Sequence, residues 1–210
     1  MPVKNIKKSA RCIVEKLKEL YPVIKPALTY DKPHEFLFAV ILSAQTTDVQ
    51  VNKATPSIFK KYKNLSDYAN VSVHEFEKDI SSIGLYKAKS KSIVQAVRML
   101  INNYGGKIPD NISELVKLPG VGRKTANVVL AEIYNISEGI AVDTHVKRLA
   151  KKYGLTQETD PVKIERDLME IIPKSEWGKF ALRLIQYGRD YCPANCKKCP
   201  NCPLWECVKP

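Results

Sequence analysis

No run of apolar residues in this 210-residue sequence is long. The longest, Phe36 to Leu42, has seven, where about 20 are needed to cross a bilayer, so a membrane protein is not expected. The N-terminal stretch MPVKNIKKSARC is basic but has no apolar segment behind it, which argues against a secretory signal and for a cytoplasmic protein. Sustained alternation of apolar and polar residues, the mark of a half-buried strand, is missing. So are internal repeats and low-complexity linkers. Acidic charge is scarce: 22 Asp and Glu stand against 34 Lys and Arg, a net charge of +12, and an excess of that sign favours a polyanionic partner, nucleic acid first. Cysteine is almost absent until the end of the chain, with only Cys12 of the six lying before Cys192. A disulfide framework would leave most of such a chain unstapled. In a reducing compartment the group Cys192, Cys196, Cys199, Cys202 and Cys207 reads instead as a metal site.

A hydrophobic content of 44% is enough for a packed core and excludes disorder as the main state. Its distribution is helical throughout, and the fold class expected is all-α. Ala10, Ile13, Val14, Leu17 and Leu20 line one face of an opening helix. Pro33 begins an apolar helix to Leu42; Thr47 or Asp48 caps the next, with Pro56 placed to bend or shorten it. Ser72 with Glu75 marks a helix to about Ile80, and a long helix follows from about Lys87 to Asn103, stopped by Gly105 and Gly106. Short helical signals then start at Asn111 or Ser113, and longer ones run over 123–134, from Asp143 or Thr144 to Tyr153, from Asp160 to Ile172 and over 175–187. The polar loop from Asn135 to Gly139 divides the array. The expected domains are 26–137, and 1–25 together with 138–210.

Between two of these helices stands LPGVGRKTA, Leu118 to Ala126. Gly120 and Gly122 allow backbone conformations that a side chain forbids and expose amide N–H groups at a helix start, which makes an anion site. A tight turn between helices needs the same glycines. The basic chain, with Arg123 and Lys124 directly after the turn, favours a grip on a DNA backbone. Lys124 is one of 27 lysines but sits in the first turn of a helix, where the positive end of the macrodipole disfavours an ammonium. A neutral lysine is a nucleophile able to form a Schiff base, whereas a charged one simply contacts phosphate. Asp143, in AVDTH, is an ordinary N-cap. The same placement keeps its carboxylate fixed where a developing cation needs one. His145 is either an exposed helix residue or a DNA contact. The clustered cysteines suit iron–sulfur or zinc equally.

LPGVGRKTA followed by AVDTH, then C-x6-C-x2-C-x4-C from Cys192 through Cys199 and Cys202 to Cys207, together with LSAQTTDVQVNKATP and SIGLYKAKSKSI upstream, resembles endonuclease III. The four motifs occur in order over residues 34–207. The resemblance implies a two-domain helix-hairpin-helix DNA glycosylase of base excision repair. Such an enzyme removes oxidised pyrimidines from double-stranded DNA and cuts the abasic site by β-elimination through a lysine Schiff base. It implies Lys124 as nucleophile, Asp143 as the essential carboxylate, and Gln45 and Leu85 as residues inserted into the DNA where the damaged base is flipped out. Gly120, Val121 and Gly122 would hold phosphate, and His145 remains a candidate DNA contact. A [4Fe–4S] cluster on Cys192, Cys199, Cys202 and Cys207 is implied as well. The last cysteine spacing is four residues where that family usually has five, which brings Cys196 into consideration. Adenine-mismatch glycosylases of the same superfamily usually lack the lysine and carry an added C-terminal domain, so the bifunctional branch, acting as a monomer, is expected. A non-catalytic DNA-binding module with structural zinc is the rival reading; it explains the charge but not Lys124 and Asp143 together. An iron–sulfur protein is yellow-brown and a zinc protein colourless.

Overall fold

The computed structural model describes residues 5–195 and 202–208, and eleven α-helices with no strand are found among them. None of these helices is long and apolar enough to cross a membrane. The chain divides into two compact units, one formed by Pro26–Tyr134 and the other by the residues up to Lys25 with those from Asn135 onward. The change of unit falls at Asn135, a left-handed residue with φ of 53°, a few residues before the position expected from the loop.

The unit of Pro26–Tyr134 is built on α2 (Pro33–Leu42), whose residues from Glu35 to Leu42 are all buried. A helix apolar on every side has to be enclosed by others, and fully burying each large side chain contributes about 1.5–3 kcal/mol. Its one buried charge, Glu35, is satisfied at the helix start, where Oε2 accepts from the N–H groups of Asp31 (2.8 Å) and Lys32 (3.0 Å). Around α2 stand α3 (Asp48–Lys61), α4 (Leu65–Asn70), α5 (Val73–Asp79), α6 (Tyr86–Tyr104), α7 (Ile112–Leu115) and α8 (Arg123–Val129). Thr47 caps α3, and Pro56 lies inside that helix without ending it. The sequence pattern had not suggested α4; its signal is the reciprocal cap between Asn64 and Asp67, which is easily passed over before so short a helix. Rings of Phe38, Tyr62 and Phe76 surround Tyr68 at centroid distances of 4.8, 4.9 and 5.8 Å. Gly105, with φ of 58°, ends α6, and the N–H of Gly106 returns to the carbonyl of Leu100 at 2.9 Å, the bonding pattern of a left-handed helix stop. Beyond α8 the chain does not stay α-helical to Tyr134: Leu130–Tyr134 winds as a π-helical turn.

In the other unit α1 (Ile6–Leu20), α9 (Thr144–Lys152), α10 (Pro161–Ile171) and α11 (Trp177–Asp190) pack around Ile13, Leu17, Val146, Leu149, Leu168, Phe180 and Leu184. A 3-10 turn at Lys174–Glu176 precedes α11, which therefore starts at Trp177 rather than Ser175 and runs on to Asp190. Asp160 caps α10 ahead of Pro161 through the N–H groups of Val162 and Lys163. The buried guanidinium of Arg183 donates to Glu176 (2.8 Å) and to the carbonyl of Tyr21 (3.1 Å), fastening α11 to the end of α1. A second 3-10 turn, Pro203–Cys207, lies against α1.

Candidate functional site

In the unit of Pro26–Tyr134, the turn from α7 to α8 is built by its glycines. Gly120 has φ of 81°, and a Cβ there would stand 2.9 Å from the Cβ of Ser92 on α6 and 3.2 Å from Ile41 Cγ2 on α2. Only glycine fits both the conformation and the space. The N–H of Val121 closes the turn on the carbonyl of Leu118 at 3.0 Å, and the Val121 side chain is buried, so this residue offers a ligand its backbone alone. Gly122 is the N-cap of α8, lies in the open, and has no side chain to occupy the helix N-terminus. Amide donors at such an end are suited to a phosphate oxygen. Arg123 and Lys124 follow in the first turn and are exposed.

Two further sequence-selected residues in this unit share an uncommon backbone. Gln45, between α2 and α3, has φ of 53°; Leu85, the N-cap of α6, has φ of 60°. Neither is glycine, and side chains seldom adopt the left-handed region except where the surroundings enforce it. Both are exposed, Leu85 by 56%, so Leu85 is not a core residue. Their loops touch: a Cβ on Gly84 would lie 3.4 Å from Thr46 Oγ1 and 3.6 Å from the Gln45 carbonyl oxygen. Beneath them is Lys89 of α6, which sequence reasoning missed because nothing in the pattern separates it from the other lysines. It is buried, and its Nζ donates to the carbonyl of Leu42 and to Thr46 Oγ1, both at 2.8 Å.

In the other unit, Asp143 is the residue that caps α9; its Oδ1 accepts from the Val146 N–H at 2.8 Å, which fixes the carboxylate at the helix start. His145 is half-buried, with Nδ1 enclosed beside Gly188 of α11 and given no hydrogen bond. The far end of α9 meets the cysteine segment: Lys152 Nζ and Arg148 Nη1 lie 3.0 and 3.7 Å from Cys192 Sγ, and Arg148 Nη2 donates to the Cys192 carbonyl at 2.7 Å.

Cys192 and Cys202 are buried thiols, and the two cations beside Cys192 suit an anionic metal-bound sulfur. Cys196 and Cys199 lie outside the described residues. Cys207 departs from expectation, for it is joined in a disulfide to Cys12. The physical reason is the packing of the 203–207 turn on α1, which brings the two Cα atoms to 5.5 Å. A disulfide sulfur is not a thiolate, so in this form Cys207 cannot belong to a ligand set, and no group of three or more metal-binding side chains assembles among the described residues. Of the expected set, Cys192 and Cys202 are thiols among the described residues, and Cys207 as bonded does not fit a cluster.

The chain matches a family described as HhH-GPD superfamily base excision DNA repair protein over residues 38–174. It is 46% identical over 188 residues to endonuclease III of Synechocystis sp., covering 90% of this chain and 86% of that protein. To endonuclease III of Bacillus subtilis it is 44% identical over 201 residues, covering 95% and 91%. Among solved structures it is similar to an endonuclease III in a non-covalent DNA complex and to one trapped as a covalent DNA intermediate. Each is 43% identical with a TM-score of 0.90, covering 97% of this chain and 95% of the other. With the hairpin, the capping aspartate and both compact units accounted for, this chain belongs to the endonuclease III family of helix-hairpin-helix base excision repair DNA glycosylases.

Proposed function

We propose that this repair glycosylase is bifunctional, removing oxidised pyrimidines from double-stranded chromosomal DNA in the cytoplasm and cleaving the abasic site it creates. The observation that carries the reading is Lys124, an exposed amine in the first turn of α8, directly beyond the hairpin glycines. Amide groups of the hairpin and the basic surface hold phosphates; Gln45 and Leu85 occupy the gap left when the damaged nucleotide is flipped out, a step that costs a few kcal/mol and least for a damaged base. Lys124 then attacks sugar C1′ through Nζ. The bond from C1′ to the base breaks and the base departs with one proton from Nζ; the bond from C1′ to O4′ then breaks, O4′ takes up a proton and becomes a hydroxyl, and C1′ is left joined to Nζ as a protonated Schiff base. Loss of a C2′ proton expels the 3′ phosphate and cuts the strand. Asp143, held in place by its N-cap bond, stabilises positive charge at the sugar or receives the proton leaving Lys124. The trapped covalent intermediate formed by a 43% identical endonuclease III supports a covalent route. Borohydride trapping on abasic DNA tests it. Wild type is expected to give a covalent adduct, and Lys124→Gln, which keeps much of the side chain's length, is expected to bind DNA and give none. Trapping by the variant at the wild-type rate would overturn the mechanism.

The same reading includes a [4Fe–4S] cluster bound by Cys192, Cys199 and Cys202, with Cys207 as fourth thiolate once a thiol reductant has supplied two electrons and two protons to its bond with Cys12. When bound, the cluster would hold the cysteine segment together through iron–thiolate bonds. The test is iron content per chain and the yellow-brown absorbance. Cys196→Ser is expected to keep both and Cys207→Ser to lose them. The reverse result would make Cys196 the ligand and leave the Cys12–Cys207 disulfide in the loaded protein.

A further inference from the structure

Lys89 is only 5% exposed, and no carboxylate pairs with its ammonium among the described residues. Burying a charge without an opposite charge is costly, and burial pushes the Lys89 amine below the usual lysine range. The acceptors it does have are informative. One is the carbonyl of Leu42, the last residue of α2, an unsatisfied group at the negative end of a helix. The other is Thr46 Oγ1, in the residue after Gln45. The backbone N–H of Lys89 meanwhile donates to the carbonyl of Leu85 at 3.1 Å, one turn back on α6. A single residue is thus bonded to the elements that carry Gln45 and Leu85, the two exposed side chains held at positive φ. Ordinary packing does not need an ammonium here, because a methionine would fill the same space. Reaching two oxygens at once does.

We infer that Lys89 is a positioning residue that ties the Gln45 loop to the start of α6 and so presents Gln45 and Leu85 as one preformed wedge. This rests on the reading of those two side chains as the residues inserted into DNA. The probe is a duplex carrying a tetrahydrofuran abasic analogue, which does not react, with 2-aminopurine next to it; wedge entry unstacks the fluorophore and raises its emission. Emission is read at saturating protein, with saturation followed by anisotropy, so that loss of folded protein or weaker binding does not mimic the effect. Removing the charged donor in Lys89→Met is expected to shift the balance between inserted and withdrawn wedge about tenfold toward withdrawn, the worth of a hydrogen bond to a charged group. Thr46→Val keeps the lysine, removes one acceptor, and serves if the methionine variant does not fold; it is expected to lose emission in the same direction. If Gln45→Ala and Leu85→Ala abolish the rise while Lys89→Met and Thr46→Val retain it in full, the positioning role is wrong and the wedge stands. If Gln45→Ala and Leu85→Ala also leave the rise intact, the wedge reading itself fails and this inference with it.

Discussion

Asp143 shows at the scale of one residue how a structural role and a chemical one occupy the same atoms. Its Oδ1 takes the Val146 N–H and so starts α9, and any residue that caps well would do that much. Asparagine caps about as well as aspartate, whereas alanine costs about 1 kcal/mol at such a position. Asp143→Asn is therefore expected to unfold in urea at nearly the wild-type midpoint and Asp143→Ala at a lower one. Base release should not follow stability: if the charge is what the reaction uses, both variants lose it by orders of magnitude in single-turnover measurements, whatever their midpoints. An Asp143→Asn protein that releases base at close to the wild-type rate would reduce the residue to a helix cap. Gln45 and Leu85 make the complementary case. Both are exposed and held at positive φ, so the proposed role in DNA is assigned to side chains that the core does not use.

At the scale of elements, the hairpin separates two glycines that look alike in the sequence. Gly120 is confined by φ of 81° and by Ser92 and Ile41, whereas Gly122 has φ of −91° and nothing within 4 Å of an added Cβ. Gly120→Ala is expected to cost about 1–3 kcal/mol through the strained backbone and to need Ser92 to move. Gly122→Ala should cost less than that, and urea unfolding of the two variants checks the order. Equal costs would mean that the turn is not built as described. Much of this was legible in LPGVGRKTA, because glycine spacing, the apolar Leu118 and the helical pattern after Arg123 are local signals. Helix starts were legible for the same reason: Thr47, Asp143 and Asp160 are side chains bonding within three residues of themselves. What local pattern could not supply was long-range. The change to a π turn at Leu130 carries no mark in composition. The contact that sets Lys89 under Thr46 spans 43 residues, and the one that joins Cys12 to Cys207 spans 195. The shortened spacing before Cys207 was visible, but nothing in it pointed to α1.

For the whole molecule, the net charge of +12 and the proposed insertion of Leu85 predict two different responses of DNA binding, and salt distinguishes them. Neutralising phosphates releases counterions, so the logarithm of the binding constant should fall by roughly 0.9 per log unit of salt for each phosphate held. The hairpin amides and surface lysines do not read sequence, and undamaged duplex should therefore share most of that slope with an abasic analogue. In the proposed reading, what separates the two DNAs is the apolar side chain entering the gap, which releases no counterion. Leu85→Ala is then expected to weaken binding of the abasic analogue at every salt concentration, by an offset that leaves the slope unchanged and undamaged DNA nearly unaffected. Lys124→Gln, if its charged form also contacts phosphate before reacting, should instead reduce the slope by about one phosphate on both DNAs. Fluorescence anisotropy over a salt series measures all four combinations. A Leu85→Ala variant that changes the slope, or that weakens both DNAs alike, would place Leu85 within the general electrostatic grip rather than in the recognition of the flipped site.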